Sequence, residues 1–190
     1  MKVKIEFDWS LSPEQAVLAE VVKRSHELKH PLGRTALQKI PYFLKRHGVP
    51  LSYSFDLYHY GPFCQEILWD AEMLASMGVI VDKGGYNGGS SYEVGESFEA
   101  RVEEHRDFLN EHADNITAVV NLLSGLDAST LEVAATLDYF YRYVSASNAP
   151  SPRKLAVLER FYEAKPKYKA KQKDVERLYD QMADIGMVGA

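Results

Sequence analysis

The apolar residues near the start of the chain change from a period of two to a helical period. Four of them alternate with polar residues, as in a half-buried strand: Val3, Ile5, Phe7 and Trp9. The segment Ser12-Pro13-Glu14-Gln15 then provides an N-cap, a proline at the first helical position and a capping-box glutamine. The pattern therefore predicts a short edge strand and a first helix, whose apolar face is Val17, Leu18, Val21, Val22 and Leu28.

A second helix is predicted from about Arg34 to His47, with Gly48 as its C-terminal stop. Three apolar residues mark its buried face: Leu37, Ile40 and Leu44. Pro41 lies inside this helix and has no N–H to donate to the carbonyl of Leu37, so we expect a kink there.

The stretch from Tyr53 to Val94 has the order of elements found in the back half of a winged helix. A strand over Leu51–Leu57 is predicted first, and Gly61-Pro62 is interpreted as the start of a helix over Phe63–Met77 that stops at Gly78. A hairpin with a glycine-rich tip is predicted next, from three segments: Val79–Val81, Gly84–Gly89 and Tyr92–Val94.

The second half of the chain has helical periodicity, and Ser145–Pro152 is its linker-like stretch. Apolar positions predict five helices, over about Phe98–Leu109, Ile116–Leu123, Leu131–Val144, Leu155–Tyr162 and Val175–Ile185. The predicted fold is mainly α with a small β component. A winged-helix-like part over residues 1–95 packs on a helical part over residues 96–190, and the two form one compact unit.

Composition restricts the class of protein. The 190 residues are 46% hydrophobic, which is enough to bury a core, and a single cysteine, Cys64, excludes an internal disulfide framework. No apolar run approaches the roughly 20 residues needed to cross a bilayer. The first residues also lack the basic-then-apolar order of a signal peptide. We therefore expect a cytoplasmic protein that does not insert into membranes.

The net charge of -5 is unevenly distributed. From Lys23 to His47 there are seven bases and one acid, whereas Glu96 to Asp138 has ten acids and two bases. Arg153 to Arg177 is basic again, with nine bases and four acids. Such asymmetry can indicate a polyanion site, although charge complementarity within the molecule or a solvated face is more common.

Several short motifs resemble one family of proteins. They are Leu37-Gln38-Lys39-Ile40, Phe55-Asp56-Leu57-Tyr58, Tyr60-Gly61-Pro62-Phe63, Leu74 with Gly78-Val79-Ile80, Leu131-Glu132 with Ala135-Thr136, and Lys165-Pro166. Together they resemble the YwgA-like proteins and the broader Panacea group, which includes SocA-like antitoxins. Pro41 departs from the apolar residue usual after the first motif. The resemblance implies a helix-rich, winged-helix-like fold and, for the antitoxin branch, a protein partner such as a toxin.

The sequence offers no convincing catalytic or metal site. His26 and His30 have the i, i+4 spacing of metal ligands, but no third ligand is evident, and exposed histidines explain the pair better. His105 and His112 are better explained by an acidic surface helix. Cys64, five residues after His59, lies in the first turn of the predicted helix, where the dipole favours a thiolate. No third catalytic residue accompanies it, so we assign no catalytic residue, cofactor or metal.

Nucleic-acid binding is the main alternative function. In a winged helix the third helix usually enters the major groove, yet here it has Glu66, Asp70 and Glu72, no Lys or Arg, and only Gln65 as a base reader. The wing offers Lys83. Contacts to DNA would therefore need the basic stretch Lys165–Lys173 or residues of the second helix, namely Arg34, Lys39, Lys45 and Arg46.

Three aromatic residues are candidate partner contacts: Tyr58, Tyr60 and Trp69. Aromatic anchors dominate the energetics of protein interfaces, although each of these residues considered alone is better explained as part of the core. The leading hypothesis is a non-enzymatic protein-binding or regulatory module of the antitoxin or adaptor type. The alternative is a winged-helix DNA-binding transcription regulator, and a hydrolase built on Cys64 ranks third.

Overall fold

The computed structural model describes residues 10–84, 89–147 and 153–189. The predicted edge strand at Val3–Trp9 and most of the glycine-rich tip lie outside these ranges. The described chain is mainly helical with a small β component, as predicted, and its strands form two small antiparallel sheets. Its helices are α1 (Pro13–Glu27), α2 (Arg34–Arg46), α3 (Gln65–Ser76), α4 (Phe98–Val102), α5 (Arg106–Glu111), α6 (Ala113–Leu123), α7 (Ala128–Ala146), α8 (Arg153–Ala164) and α9 (Gln172–Asp184).

Local sequence signals fix several of these helix ends. At the start of α1, Ser12 Oγ accepts from the Gln15 backbone N–H at 3.2 Å, and Gln15 Oε1 accepts from the Ser12 N–H at 3.0 Å. The predicted capping box is therefore confirmed. At the end of α3, Gly78 has φ +70°, and the following N–H of Val79 donates to the Leu74 carbonyl at 2.9 Å. Such a left-handed glycine closes a helix by satisfying its last carbonyls.

The region between α2 and α3 differs from the prediction. Strands β1 (Asp56–Tyr58) and β2 (Gly61–Phe63) pair antiparallel, with Tyr58 opposite Gly61. The predicted strand over Leu51–Leu57 is therefore wrong in its bounds, and Gly61-Pro62 belongs to a strand instead of starting a helix. The physical reason is that Gly61 adopts φ +83°, which lets His59 and Tyr60 close a two-residue turn.

A second hairpin follows α3. Strand β3 (Ile80–Asp82) pairs antiparallel with β4 (Tyr92–Val94), so Ile80 lies opposite Val94, as the predicted hairpin requires. Leu32, just before α2, forms an isolated antiparallel bridge with Tyr92.

The predicted helix over Phe98–Leu109 is interrupted. A 3₁₀ turn at Glu103–His105 separates α4 from α5. The break coincides with a long-range contact, because the ring Nε2 of His105 lies 2.7 Å from the carbonyl oxygen of Leu11. A tertiary hydrogen bond of this kind can override a continuous helical pattern.

The chain forms two compact units. The first consists of Met1–Tyr53 and Gln65–Ser124, and its core includes Val21, Leu37 and Ile40. The second consists of Ser54–Cys64 and Gly125–Ala190, and its core includes Leu137, Phe161 and Tyr179. These units are clusters of contacts, and the division into domains near residue 95 stays a prediction.

Helix α7 is the longest element of the second unit. Asp127 caps its first turn, because the carboxylate accepts from the Thr130 hydroxyl at 2.7 Å and from the Thr130 N–H at 2.9 Å. These hydrogen bonds lower the pKa of Asp127. Across the described residues, none of the helices combines the length and apolar character needed to span a bilayer.

Candidate functional site

The tip of the β1–β2 hairpin presents two large aromatic side chains to solvent. Tyr58 is 61% exposed and Tyr60 is 67% exposed. Trp69, on α3 in the first unit, is 59% exposed. The interpretation that these residues are part of the core is therefore wrong for all three. For the hairpin the reason is geometric, since Tyr58 ends a three-residue strand and Tyr60 lies in the turn itself.

The exposed tyrosines are packed against neighbouring rings and cations. The ring centroid of Tyr58 lies 4.6 Å from that of His59 and 5.8 Å from that of Phe63. Two lysine ammonium groups lie near the Tyr60 ring, with Lys165 Nζ 6.0 Å and Lys167 Nζ 5.9 Å from its centroid. Aromatic and cation–π contacts of this type are favourable, and both tyrosines stay largely exposed to solvent.

A buried ion pair lies next to Tyr60. Lys165 is only 5% exposed, and its ammonium donates to Glu132 Oε1 at 2.7 Å and to the backbone carbonyl of His59. Lys167 Nζ lies 3.5 Å from the same Glu132 oxygen. Because Glu132 belongs to α7 and His59 to the hairpin turn, Lys165 ties the turn to this helix.

Gly61 brings the hairpin close to α7. A Cβ atom at this position would lie 2.5 Å from Thr136 Oγ1 and 3.3 Å from the carbonyl oxygen of Glu132. The Thr136 hydroxyl donates to that same carbonyl at 2.7 Å. Only a residue without a side chain fits between the turn and the helix.

Residues from distant motifs thus meet in one place. The motifs that carry the family resemblance contribute Gly61, Glu132, Thr136 and Lys165, and all four are joined by the contacts above. Sequence reasoning gave no role to Glu132 and considered Lys165 only as part of a basic stretch for DNA contacts, which its burial contradicts. Both residues could have been found only through the family motifs to which they belong. Local periodicity cannot pair residues that are 33 positions apart.

Helix α3 carries a separate exposed surface in the first unit. Trp69 and Met73 are one turn apart and both exposed. Asp70, counted above among the acids that would oppose DNA, is engaged in hydrogen bonds within the first unit. Its carboxylate accepts from the Tyr53 hydroxyl at 2.7 Å and from Gln15 Nε2 at 2.7 Å. The acids that remain exposed on this helix are Glu66 and Glu72.

The candidate nucleic-acid contacts differ in accessibility. Arg34 and Lys83 are exposed, and Arg46 is half-buried. Lys45 is exposed, but its ammonium donates to the Tyr53 carbonyl at 2.6 Å. Lys39 is only 2% exposed, so its side chain does not reach a phosphate in this conformation.

The histidines and the cysteine form no recognisable catalytic arrangement. His26 is exposed, and His30 Nδ1 lies 3.2 Å from Ser124 Oγ. His112 packs its ring against Phe108, and Cys64 is buried. Within residues 10–84, 89–147 and 153–189, no group of three His, Cys, Asp or Glu side chains is placed to hold a metal ion.

Comparison with known proteins gives one informative similarity. The chain is 29% identical over 135 residues to the uncharacterized protein YwgA of Bacillus subtilis (strain 168). The alignment covers 67% of this chain and 74% of that protein. No protein-family model matches the chain. The similarity supports the predicted relation to YwgA-like proteins, whereas the grouping with SocA-like antitoxins stays a prediction.

Proposed function

We propose that this chain is a non-enzymatic protein-binding module of the antitoxin or adaptor type, and that the tip of the β1–β2 hairpin is its contact surface. The single observation that carries this proposal is the exposure of Tyr58 and Tyr60 on a turn tied down by buried Lys165. Large aromatic side chains supply much of the energy of protein interfaces. Anchoring the turn in advance reduces the entropy lost on binding.

Trp69 is a second candidate contact, in the first unit. An exposed tryptophan with Met73 one turn away forms an apolar strip, and the exposed carboxylates Glu66 and Glu72 flank it. Tryptophan is enriched among the residues that dominate binding energies.

We also propose a winged-helix-like arrangement for the first unit. Three helices in order, α1 to α3, and the β3–β4 hairpin after them support it. The bridge between Leu32 and Tyr92 supports it further. Through this bridge the segment just before α2 pairs with the edge of the β3–β4 hairpin. In this arrangement α3 is the third helix, and its lack of Lys and Arg argues against docking in a major groove.

The proposed function is tested by recovering the partner from cells. The tagged full chain is expressed in its own host and purified at physiological salt. We expect one protein in stoichiometric amount, and we expect Tyr58→Ala with Tyr60→Ala to lose it. Tyr143→Ala is the matched control, because Tyr143 is also exposed but lies on α7 about two helical turns beyond Thr136, the residue next to the hairpin turn. Retention of the partner by the hairpin variant would contradict the proposal.

The DNA-binding alternative is tested on the same purified protein. The exposed bases Arg34 and Lys83 favour it, whereas α3 does not. We expect duplex DNA to bind weakly at low salt and to dissociate at physiological salt, since such binding is mostly electrostatic. Sequence-selective binding that survives physiological salt and is abolished by Gln65→Ala would establish a DNA-binding protein instead.

A further inference from the structure

A lysine-rich segment lies next to the hairpin tip. From Lys165 to Lys173 every second residue is a lysine. The segment forms a 3₁₀ helix over Pro166–Lys171 and continues into α9. Lys165 is buried, whereas the other four lysines are exposed: Lys167, Lys169, Lys171 and Lys173.

The charge beside Tyr60 is not balanced. Lys165 Nζ is 2.7 Å from Glu132 Oε1, and Lys167 Nζ is 3.5 Å from the same oxygen. Two ammonium groups therefore share one carboxylate. Lys167 has a side chain that is 60% exposed, and it also lies 4.9 Å from the ring centroid of Tyr168. Its ammonium is held beside Tyr60 and is accessible to an anion from outside.

We infer that the hairpin tip recognises an acidic protein segment, and that the exposed lysines from Lys167 to Lys173 supply the complementary charge. The inference rests on the proposed protein-binding function and names the chemistry of the partner. A partner carboxylate would approach Lys167 while an apolar or aromatic neighbour packs on Tyr60. Complementary charge of this kind raises association rates and selects among partners.

The charges around this segment favour a protein over a nucleic acid. An open depression of about 670 Å³ is lined by Lys169, Lys171 and Lys173, and also by Asp174 and Glu176. A nucleic acid carries negative charge at every phosphate, so it would bring phosphates against these two carboxylates. A protein segment can place acids on the lysines and donors or bases on the carboxylates.

The experiment uses the full chain and three fluorescent probes in anisotropy titrations. The probes are a random glutamate–tyrosine copolymer, polylysine and single-stranded polyuridylate of matched length. We expect the acidic copolymer to bind most tightly at 150 mM NaCl, and we expect Lys167→Gln with Lys169→Gln and Lys171→Gln to weaken it at least tenfold. Lys29→Gln is the matched control, since it removes an exposed lysine from the first unit and should leave binding unchanged. Equal or tighter binding of polyuridylate, or an unchanged affinity of the triple variant, would overturn the inference.

The failure of this inference is distinguishable from failure of the proposed function. The triple lysine variant is also carried through the cellular partner assay, with its melting temperature checked. We expect it to lose the partner, as the hairpin variant should. If the tyrosine substitutions abolish capture and the lysine substitutions do not, protein binding stands and the acidic partner is rejected. If the tyrosine substitutions leave capture intact, the proposed function itself fails.

Discussion

Replacement of Gly61 by alanine should destabilise the second unit by about 3 kcal/mol, because it combines two separate penalties. A residue with a Cβ at φ +83° costs about 1–2 kcal/mol, and forcing that atom to within 2.5 Å of Thr136 Oγ1 adds an overpacking cost of about 1–3 kcal/mol. Urea denaturation followed by far-ultraviolet circular dichroism measures the free energy of unfolding.

Two further variants separate these penalties. Gly186→Ala is the matched control, because Gly186 has φ +75° but no atom within 4 Å of the added Cβ, so only the conformational cost of about 1–2 kcal/mol should be observed. Thr136→Ala should partly rescue Gly61→Ala by removing the clashing hydroxyl. Equal losses for Gly61→Ala and Gly186→Ala would show that the turn does not lie against α7 as described.

Glu132→Ala should lower the free energy of unfolding by a similar amount, for an electrostatic reason. The change leaves the ammonium of Lys165 buried, and among the described residues its remaining hydrogen-bond acceptor is the His59 carbonyl. Removing one member of a buried ion pair typically costs about 3–5 kcal/mol. The same denaturation experiment measures the loss, and the double variant Glu132→Leu with Lys165→Met should recover much of it because no charge then remains buried.

An exposed ion pair in the same unit provides the control. Lys154 pairs with Asp180, whose side chain is 59% exposed. Asp180→Ala should therefore cost less than about 1 kcal/mol, as exposed pairs usually do. A loss for Glu132→Ala as small as that for Asp180→Ala would mean that the buried pair does not fix the hairpin.

The helices could be predicted largely from local chemistry. The capping box at Ser12 and Gln15 and the stop at Gly78 each depend on residues only a few positions apart. The break at His105 could not be predicted in this way, because the Leu11 carbonyl is 94 positions away in sequence. Periodicity shows which residues share one face of a helix. It does not show which distant group contacts that face.

The candidate site was predictable in its residue types but not in its geometry. Alternation along β1 separates its residues into two sides of the strand, but it does not indicate which side is exposed to solvent. Tyr58 was therefore both a candidate contact and a candidate core residue. Likewise, nothing near Asp70 in sequence indicates that its carboxylate accepts hydrogen bonds from Tyr53 and Gln15. The anchoring of the turn by Lys165 required contacts over 33 and 106 positions.

The central claim is that the hairpin tip contacts a protein partner, and cross-linking in living cells tests it most directly. A photo-reactive phenylalanine derivative is incorporated at position 60 in one variant and at position 143 in another, since both native tyrosines are exposed. The account predicts a discrete protein adduct from position 60 and none from position 143, in proteins with unchanged melting temperatures. No adduct from position 60, or an adduct with nucleic acid, would contradict it.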